Sequence, residues 1–328
     1  MRYVKLNTNE NPYPPAPGVI EAVQAEAGRL ELYSDPVCAD LRDALAERYG
    51  LQRENVFVSN GSDDILNFAF LAFGGSGERA YFPDISYGFY KVYADLYHQP
   101  YREIPLREDF AIDPADYMAL DGFIAIANPN APTGMTLGAA QIEAIVRANP
   151  DHVVLIDEAY VDFGAESCVS LTAKYDNLLV VQTYSKSRSM AGARLGYAIA
   201  NAALIADLEK IKFSTNPYSV NRMTLAAGVA TLKSDDYCAA SCRRIVKTRQ
   251  KSVASLEQLG FEVLPSRANF VFARRPGFDG DWLYRELRAR GVLVRHFNIP
   301  RIKDFLRISI GTPEQMEVLF GKLEEILK

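Results

Sequence analysis

Histidine is scarce in this 328-residue chain: His98, His152 and His296 are the only three, and none has metal-ligand spacing to another histidine or to a cysteine. No catalytic metal is expected. Cysteine is equally sparse. Cys38, Cys168, Cys238 and Cys242 form no Cys-x-x-Cys pair, so the expectation is reduced structural thiols. No apolar run reaches the ~20 residues that a bilayer span needs, and the opening "MRYVKLNTNENP" lacks the apolar core of a signal peptide. The expected setting is the cytoplasm, with no membrane partner. A Gly-x-Gly-x-x-Gly fingerprint after a strand is missing too. "GGSGE" at 74–78 follows a helical stretch and precedes a strand, so it reads as a turn, and a nicotinamide cofactor is disfavoured. Positive charge is not in excess: 36 Lys and Arg against 41 Asp and Glu give a net charge of −5, which argues against a general nucleic-acid binder.

What the chain does have is an ordinary soluble composition, 48% hydrophobic and 23% charged, over a length that favours two domains. Short apolar runs bounded by polar residues recur. "NLLVVQT" ends at Thr183, "HVVLIDEAY" delivers Asp157 and Tyr160, and "GFIAIANPNAPTG" breaks into a turn closed by Gly134. "NVFVSNGSDDILNFAFLAF" reads as a strand, a polar loop and a helix beginning near Asp63, and "RAYFPDISYGFY" as a strand followed by a loop with Tyr87. Such runs are the pattern of strands buried on both faces. Alternating with helical stretches such as "AAQIEAIVRAN", they predict an α/β fold whose mostly parallel sheet is flanked by helices. Open sheets of this kind bind ligands beyond the carboxyl ends of their strands.

The polar residues collected at that edge suit one type of ligand. "SNGSDD" opens a helix, where unpaired N–H groups favour a phosphate, although Ser62 and Asp63 are also ordinary capping residues. Arg194 in "AGARLG" offers a planar fork of donors to the same anion. Asp157 sits at the mouth of a buried strand, where a carboxylate requires a positive or donor partner, such as a protonated pyridine nitrogen. Tyr160 is placed to hydrogen-bond a phenolic oxygen and Tyr87 to stack on a ring. An amine at Lys186, within "TYSKSRSMAGARLG", completes a site for pyridoxal 5'-phosphate.

Taken together, "NENPYPP", "YSDP", "GSDD", "NPNAPTG", "IDEAY", "TYSKSRSMAGARLG" and "LRISIGT" resemble the fold-type I pyridoxal-phosphate aminotransferases, and their order and spacing resemble the histidinol-phosphate branch. The resemblance implies that Lys186 is the lysine that binds the cofactor covalently and carries a proton. It implies that Asp157 holds the pyridinium, Tyr160 the 3'-oxygen and Tyr87 the ring face. Ser62, Asp63, Ser185 and Arg194 would surround the phosphate. Tyr33 matches a tyrosine that reaches a neighbouring subunit's phosphate, implying a homodimer with shared sites. Arg307 matches the arginine that receives a substrate carboxylate, and Arg295 and Asn11 are further substrate-binding candidates. Ala131 stands where the family has an asparagine on the 3'-oxygen, so either Asn130 or Asn128 is expected to replace it.

The implied reaction is transamination between histidinol phosphate and 2-oxoglutarate, a small-molecule amino donor and a 2-oxo acid acceptor, in histidine biosynthesis. An aromatic aminotransferase, an O-phosphothreonine decarboxylase and a non-catalytic regulatory protein are the alternatives. The retention of Lys186, Asp157 and Arg194 argues against the last. Residues 33–230 are expected to form the large cofactor-binding domain. Residues 1–32 and 231–328 should form a smaller α+β domain, with a long helix in "SDDYCAASCRRIVKTRQKSVASLEQLG" that stops at Gly260.

Overall fold

The computed structural model describes residues 3–75 and 77–328, so the turn expected at 74–78 lies partly outside the described residues. After a short strand, β1 (Val4–Lys5), come two helices, α1 (Val19–Ala27) and α2 (Ala39–Tyr49). The chain then builds a seven-stranded sheet from β2 (Val56–Ser59), β3 (Arg79–Pro83), β4 (Tyr101–Ile104), β5 (Gly122–Ala127), β6 (Val154–Asp157), β7 (Leu178–Thr183) and β8 (Gly196–Ala200). Their order is β2-β8-β7-β6-β5-β3-β4. Four neighbouring pairs, β4–β3, β3–β5, β5–β6 and β6–β7, are parallel, whereas β8 runs antiparallel to both β2 and β7. The reversal has a local cause. The connection 184–195 contains one short 3-10 turn, Ala191–Ala193, and no crossover helix, so the chain returns alongside β7 in the opposite sense.

Every residue of β2, β5, β6, β7 and β8 is buried, because helices cover both faces of the sheet. Val154, Ile156, Leu178 and Val180 point to one face, under α1, α2, α5 (Ala139–Ala148) and α7 (Arg222–Leu232). Leu155, Leu179 and Val181 point to the other, under α3 (Ser62–Phe73), α4 (Phe89–Leu96) and α6 (Ala202–Thr215). This period of two also sends the adjacent acids at the end of β6, Asp157 and Glu158, to opposite sides.

A second sheet, order β12-β13-β10-β9, is antiparallel and comprises β9 (Glu262–Val263), β10 (Phe270–Arg274), β12 (Arg295–His296) and β13 (Phe305–Ser309). Beside it, β1 pairs in parallel with β11 (Val292–Leu293). Its core, with Val271, Leu283, Ile308 and Leu319, is closed by α8 (Asp235–Gln258), α9 (Gly280–Ala289) and α10 (Pro313–Leu327). Gly260, with φ 78°, takes the left-handed turn that ends α8 where the sequence places a stop.

The first 32 residues do not pack as one piece. Leu6 and Tyr13 join the core of the second sheet, whereas Ala16 and Val19 join that of the large sheet. The chain passes from one core to the other between Tyr13 and Ala16, and Gly18, at φ 83°, then makes the left-handed turn that leads into α1.

Candidate active site

The residues at the carboxyl edge converge on a cavity of about 260 Å³. Asp157 is the last residue of β6, Lys186 lies three residues beyond β7, and Ser62 is the first residue of α3 after β2. Together with Asp63, Tyr87, Tyr160, Ser185 and Arg194 they line this one space. A wider cleft of about 540 Å³ between α1, α2 and α7 brings together none of these residues.

On one wall, Asp157 is buried. Its Oδ1 accepts from the Ala159 N–H at 3.1 Å and its Oδ2 from the Tyr90 hydroxyl at 3.1 Å. Burial outweighs both bonds and pushes the carboxyl up to about 6. Tyr90 was not among the residues expected from sequence; it lies in the first turn of α4, three residues after Tyr87. Glu158, on the opposite face, accepts from Ser167, the Cys168 N–H and Gln182, and burial pushes it up to about 7.

At one end of the cavity, Arg194 Nη2 donates to Asp63 Oδ2 at 2.8 Å, and the Tyr87 hydroxyl donates to Asp63 Oδ1 at 2.7 Å. Asp63 thus aims the guanidinium, while the N-terminus of α3 supplies unpaired N–H groups. Two glycines permit this approach: a Cβ on Gly61 would lie 2.8 Å from Arg194 Nη2, and one on Gly196 would lie 2.4 Å from the Ser62 nitrogen. Ser185 completes that end. Its N–H donates to Thr183 Oγ1, whose hydroxyl in turn donates to Ser185 Oγ, leaving the Ser185 proton free to donate.

Lys186 Nζ donates to the Thr8 carbonyl at 3.3 Å and lies 5.7 Å from the centre of the Tyr160 ring. The Tyr160 ring stands edge-on to Phe270, centroids 5.1 Å apart. Behind Phe270, Arg307 is mostly buried, donates from Nη2 to the Asn7 carbonyl at 2.9 Å, and has a buried Nε with no partner among the described residues. Burial lowers its pKa, and the neighbouring Arg295 lowers it further. Arg295 stands directly opposite Arg307 in the β12–β13 register, so both side chains leave the same face of that sheet. Their guanidinium carbons lie 5.4 Å and 5.6 Å from the centre of the Phe297 ring.

Neither Arg295 nor Arg307 lines the cavity, and four further expected residues are placed away from it. Asn130 does not reach the cavity: its amide donates to the Ile85 carbonyl and Thr133, and its oxygen accepts from Ser86. Asn128 is held on both sides by the Leu137 backbone. The cavity wall there is Pro129 and Ala131, so neither asparagine replaces the one that Ala131 lacks. Asn11 does not face the cavity either; its amide donates to the Lys186 and Ser187 carbonyls and so fastens the lysine loop. Tyr33 is 79% exposed, stacked on Tyr218 and outside this chain's own cavity. A residue that sequence reading missed, Asn9, donates from Nδ2 to the Tyr160 hydroxyl at 3.0 Å.

The raised Asp157 pKa makes a stability prediction. A carboxyl whose folded pKa, about 6, exceeds its ordinary 3.8 binds protons more tightly when folded, so its contribution to stability is lost as pH rises through that interval. The ligand-free Asp157→Asn protein, which does not titrate there, should therefore melt above the unmutated protein by a margin that grows from about pH 4 to about pH 6 and then levels. Two pKa units correspond to about 3 kcal/mol at most. Glu158 titrates in both proteins and cancels. Calorimetry showing a margin that is constant or shrinks with pH would contradict the assignment.

The comparisons with known proteins agree with this geometry. The family model for aminotransferase class I and II matches residues 2–323. A histidinol-phosphate aminotransferase of Marinomonas sp. is 51% identical over 329 residues, covering 99% of this chain and 93% of the relative. Another, of Brachyspira hyodysenteriae, is 47% identical over 99% of this chain and 93% of its own length. Among solved structures, histidinol-phosphate aminotransferase from Sinorhizobium meliloti in complex with pyridoxal-5'-phosphate superposes with a TM-score of 0.92 at 25% identity, covering 99% of this chain and 91% of that one. With the family model spanning nearly its whole length and its reactive residues gathered at one sheet edge, this chain belongs to the class I and II aminotransferases.

Proposed function

We propose that this protein is a pyridoxal-phosphate-dependent aminotransferase that exchanges an amino group between histidinol phosphate and 2-oxoglutarate, a step of histidine biosynthesis. One observation carries the reading: a lysine amine and a buried carboxylate share one cavity that ends at a helix N-terminus and an arginine. Relatives near 50% identity bear that substrate's name. The residues also fit the cofactor. Asp157 is a buried carboxyl in want of a cationic partner, and the end formed by Ser62, Ser185 and Arg194 is built of donors for a phosphate.

When bound, pyridoxal phosphate supplies an electron-withdrawing ring that takes up the electron pair released at the substrate Cα. Asp157 would hold a proton on the ring nitrogen, because burial outweighs its bonds from Ala159 and Tyr90 and a positive neighbour would favour its ionised form. Lys186 Nζ takes the proton from the substrate Cα and returns it on the other side of the exchange. Arg307 orients the substrate by pairing its free Nε edge with a carboxylate, or with the anionic end of the phosphorylated substrate. Arg295, on the same sheet face, adds a second positive charge for a phosphate, which carries about −1.5 to −2. Tyr87 and Tyr160 narrow the cavity and exclude water from its centre.

We also read the protein as a homodimer. Tyr33 lies on a surface with exposed Leu30, Leu32 and Val37, which supports a second copy there, and sedimentation at monomer mass would remove the idea.

The deciding measurement is product analysis of the cofactor-loaded protein. Histidinol phosphate with 2-oxoglutarate should yield glutamate and the corresponding 2-oxo phosphate. Turnover of phenylalanine or tyrosine without histidinol phosphate would replace this reading with an aromatic aminotransferase. Release of carbon dioxide from O-phosphothreonine would replace it with a decarboxylase.

A further inference from the structure

Asn9 is buried, 1% exposed, and held in the left-handed region at φ 54°, a conformation that asparagine, aspartate and glycine tolerate. Its hydrogen bonds determine which way its amide faces. The Asn9 N–H donates to Ser309 Oγ at 2.8 Å, so the Ser309 hydroxyl must direct its own proton elsewhere, and it donates that proton to Asn9 Oδ1 at 2.8 Å. The amide oxygen is therefore committed to Ser309, leaving Nδ2, which can only donate, 3.0 Å from the Tyr160 hydroxyl. Asn269 Nδ2 secures the Asn9 carbonyl at 2.9 Å.

We infer that Asn9, locked by Ser309, is a positioning residue that sets the polarity of the Tyr160 hydroxyl. Because that oxygen receives a proton from Asn9, its own proton is directed away from Asn9 and toward the cavity. This makes Tyr160 a hydrogen-bond donor at the position where an anionic ring oxygen would lie. The inference rests on the reading of Tyr160 as a cofactor contact and adds what determines its direction. The chain from Ser309 through Asn9 to Tyr160 also joins the last strand of the small sheet to the large-sheet site. Thr8 and Asn11, on either side of Asn9, hold Lys186 by its Nζ and its carbonyl.

The test is a set of variants that keep the backbone conformation but alter the polarity. Asn9→Asp retains an acceptor for Ser309 and turns the other oxygen into an acceptor, which draws the Tyr160 proton to itself. Asn9→Gly removes the side chain only. Two readouts are used: the affinity of ligand-free protein for pyridoxal phosphate, followed by fluorescence quenching, and the pH midpoint of the bound cofactor's visible absorbance. A hydrogen bond to an anionic oxygen stabilises the deprotonated form of the cofactor–lysine nitrogen, so losing it raises the midpoint. Asn9→Asp should weaken cofactor binding about tenfold or more and raise the midpoint by about 1 unit, and Tyr160→Phe should do the same. Asn9→Gly and Ser309→Ala should produce smaller shifts in the same direction.

The added carboxylate also acts through its charge, and the background separates the two effects. In Tyr160→Phe protein, Asn9→Asp should shift the midpoint by much less than in the unmutated protein. Equal shifts in the two backgrounds would overturn the inference while leaving the Tyr160 assignment in place. A Tyr160→Phe protein with unchanged affinity and midpoint would overturn that assignment, and the inference with it.

Discussion

Replacing Lys186 with alanine is expected to lower turnover at least about 10⁴-fold, the upper end of what one positioned acid–base group contributes, because covalent attachment of the cofactor disappears with it. The expectation comes from position. Lys186 Nζ projects into the cavity that Asp157 shares, and its only hydrogen-bond acceptor among the described residues is the Thr8 carbonyl. Among the described residues no carboxylate holds it as a structural ion pair, so the amine is available for chemistry once a substrate-sized group enters. Borohydride reduction of the loaded protein followed by peptide mapping should place the label on the peptide containing Lys186, and a label on any other lysine would sink the assignment. Stability should be little changed, since the side chain fills a cavity wall rather than the core.

The second large effect divides two arginines. Arg307→Lys keeps a charge but loses the planar fork, and because the site is already desolvated the loss is not made up by water. kcat/KM should fall about 100-fold for glutamate and for histidinol phosphate alike, within the range for one charge-assisted hydrogen bond to a buried partner. Arg295→Ala should behave differently. Arg295 is exposed, and its guanidinium flanks Phe297 beside Arg307, so it adds charge where a dianionic group would need a second donor. Its loss should lower kcat/KM for histidinol phosphate by about tenfold or more and for the glutamate half-reaction by less than about threefold. Steady-state kinetics with both substrates decides the matter. Equal losses would remove Arg295 from phosphate recognition, and a glutamate rate unaffected by Arg307→Lys would remove Arg307 from carboxylate binding.

How much of this was legible in the sequence depends on the distance over which each signal acts. The buried strands of the large sheet announce themselves locally, because burial on both faces requires uninterrupted apolar residues such as Val154–Ile156 and Leu178–Val181. Once those strands are parallel, their carboxyl ends must share an edge, so Asp157, Lys186 and Ser62 could be brought together on paper. The edge strand β4, "YREI", carries no such signal, since half of it faces solvent. The reversed strand β8 is apolar, but its direction depends on the absence of a helix after β7, which residue type alone does not report.

Local patterning along the chain is enough for the layered α/β architecture and for the residues gathered at its edge. Which polar side chains remain available for that chemistry depends on contacts between residues distant in sequence. Asn11 and Asn130 were reasonable candidates by position, yet backbone carbonyls of the lysine loop and of Ile85 claim their amides. Asn9 gave no signal of its own, because its partners Tyr160 and Ser309 lie 151 and 300 residues away along the chain. The register that sets Arg295 opposite Arg307 likewise exists only once β12 meets β13. The physical reason is that apolar patterning is a property of neighbours in sequence, whereas the direction of a buried hydrogen bond depends on donors and acceptors that folding alone brings within 3 Å or so of one another.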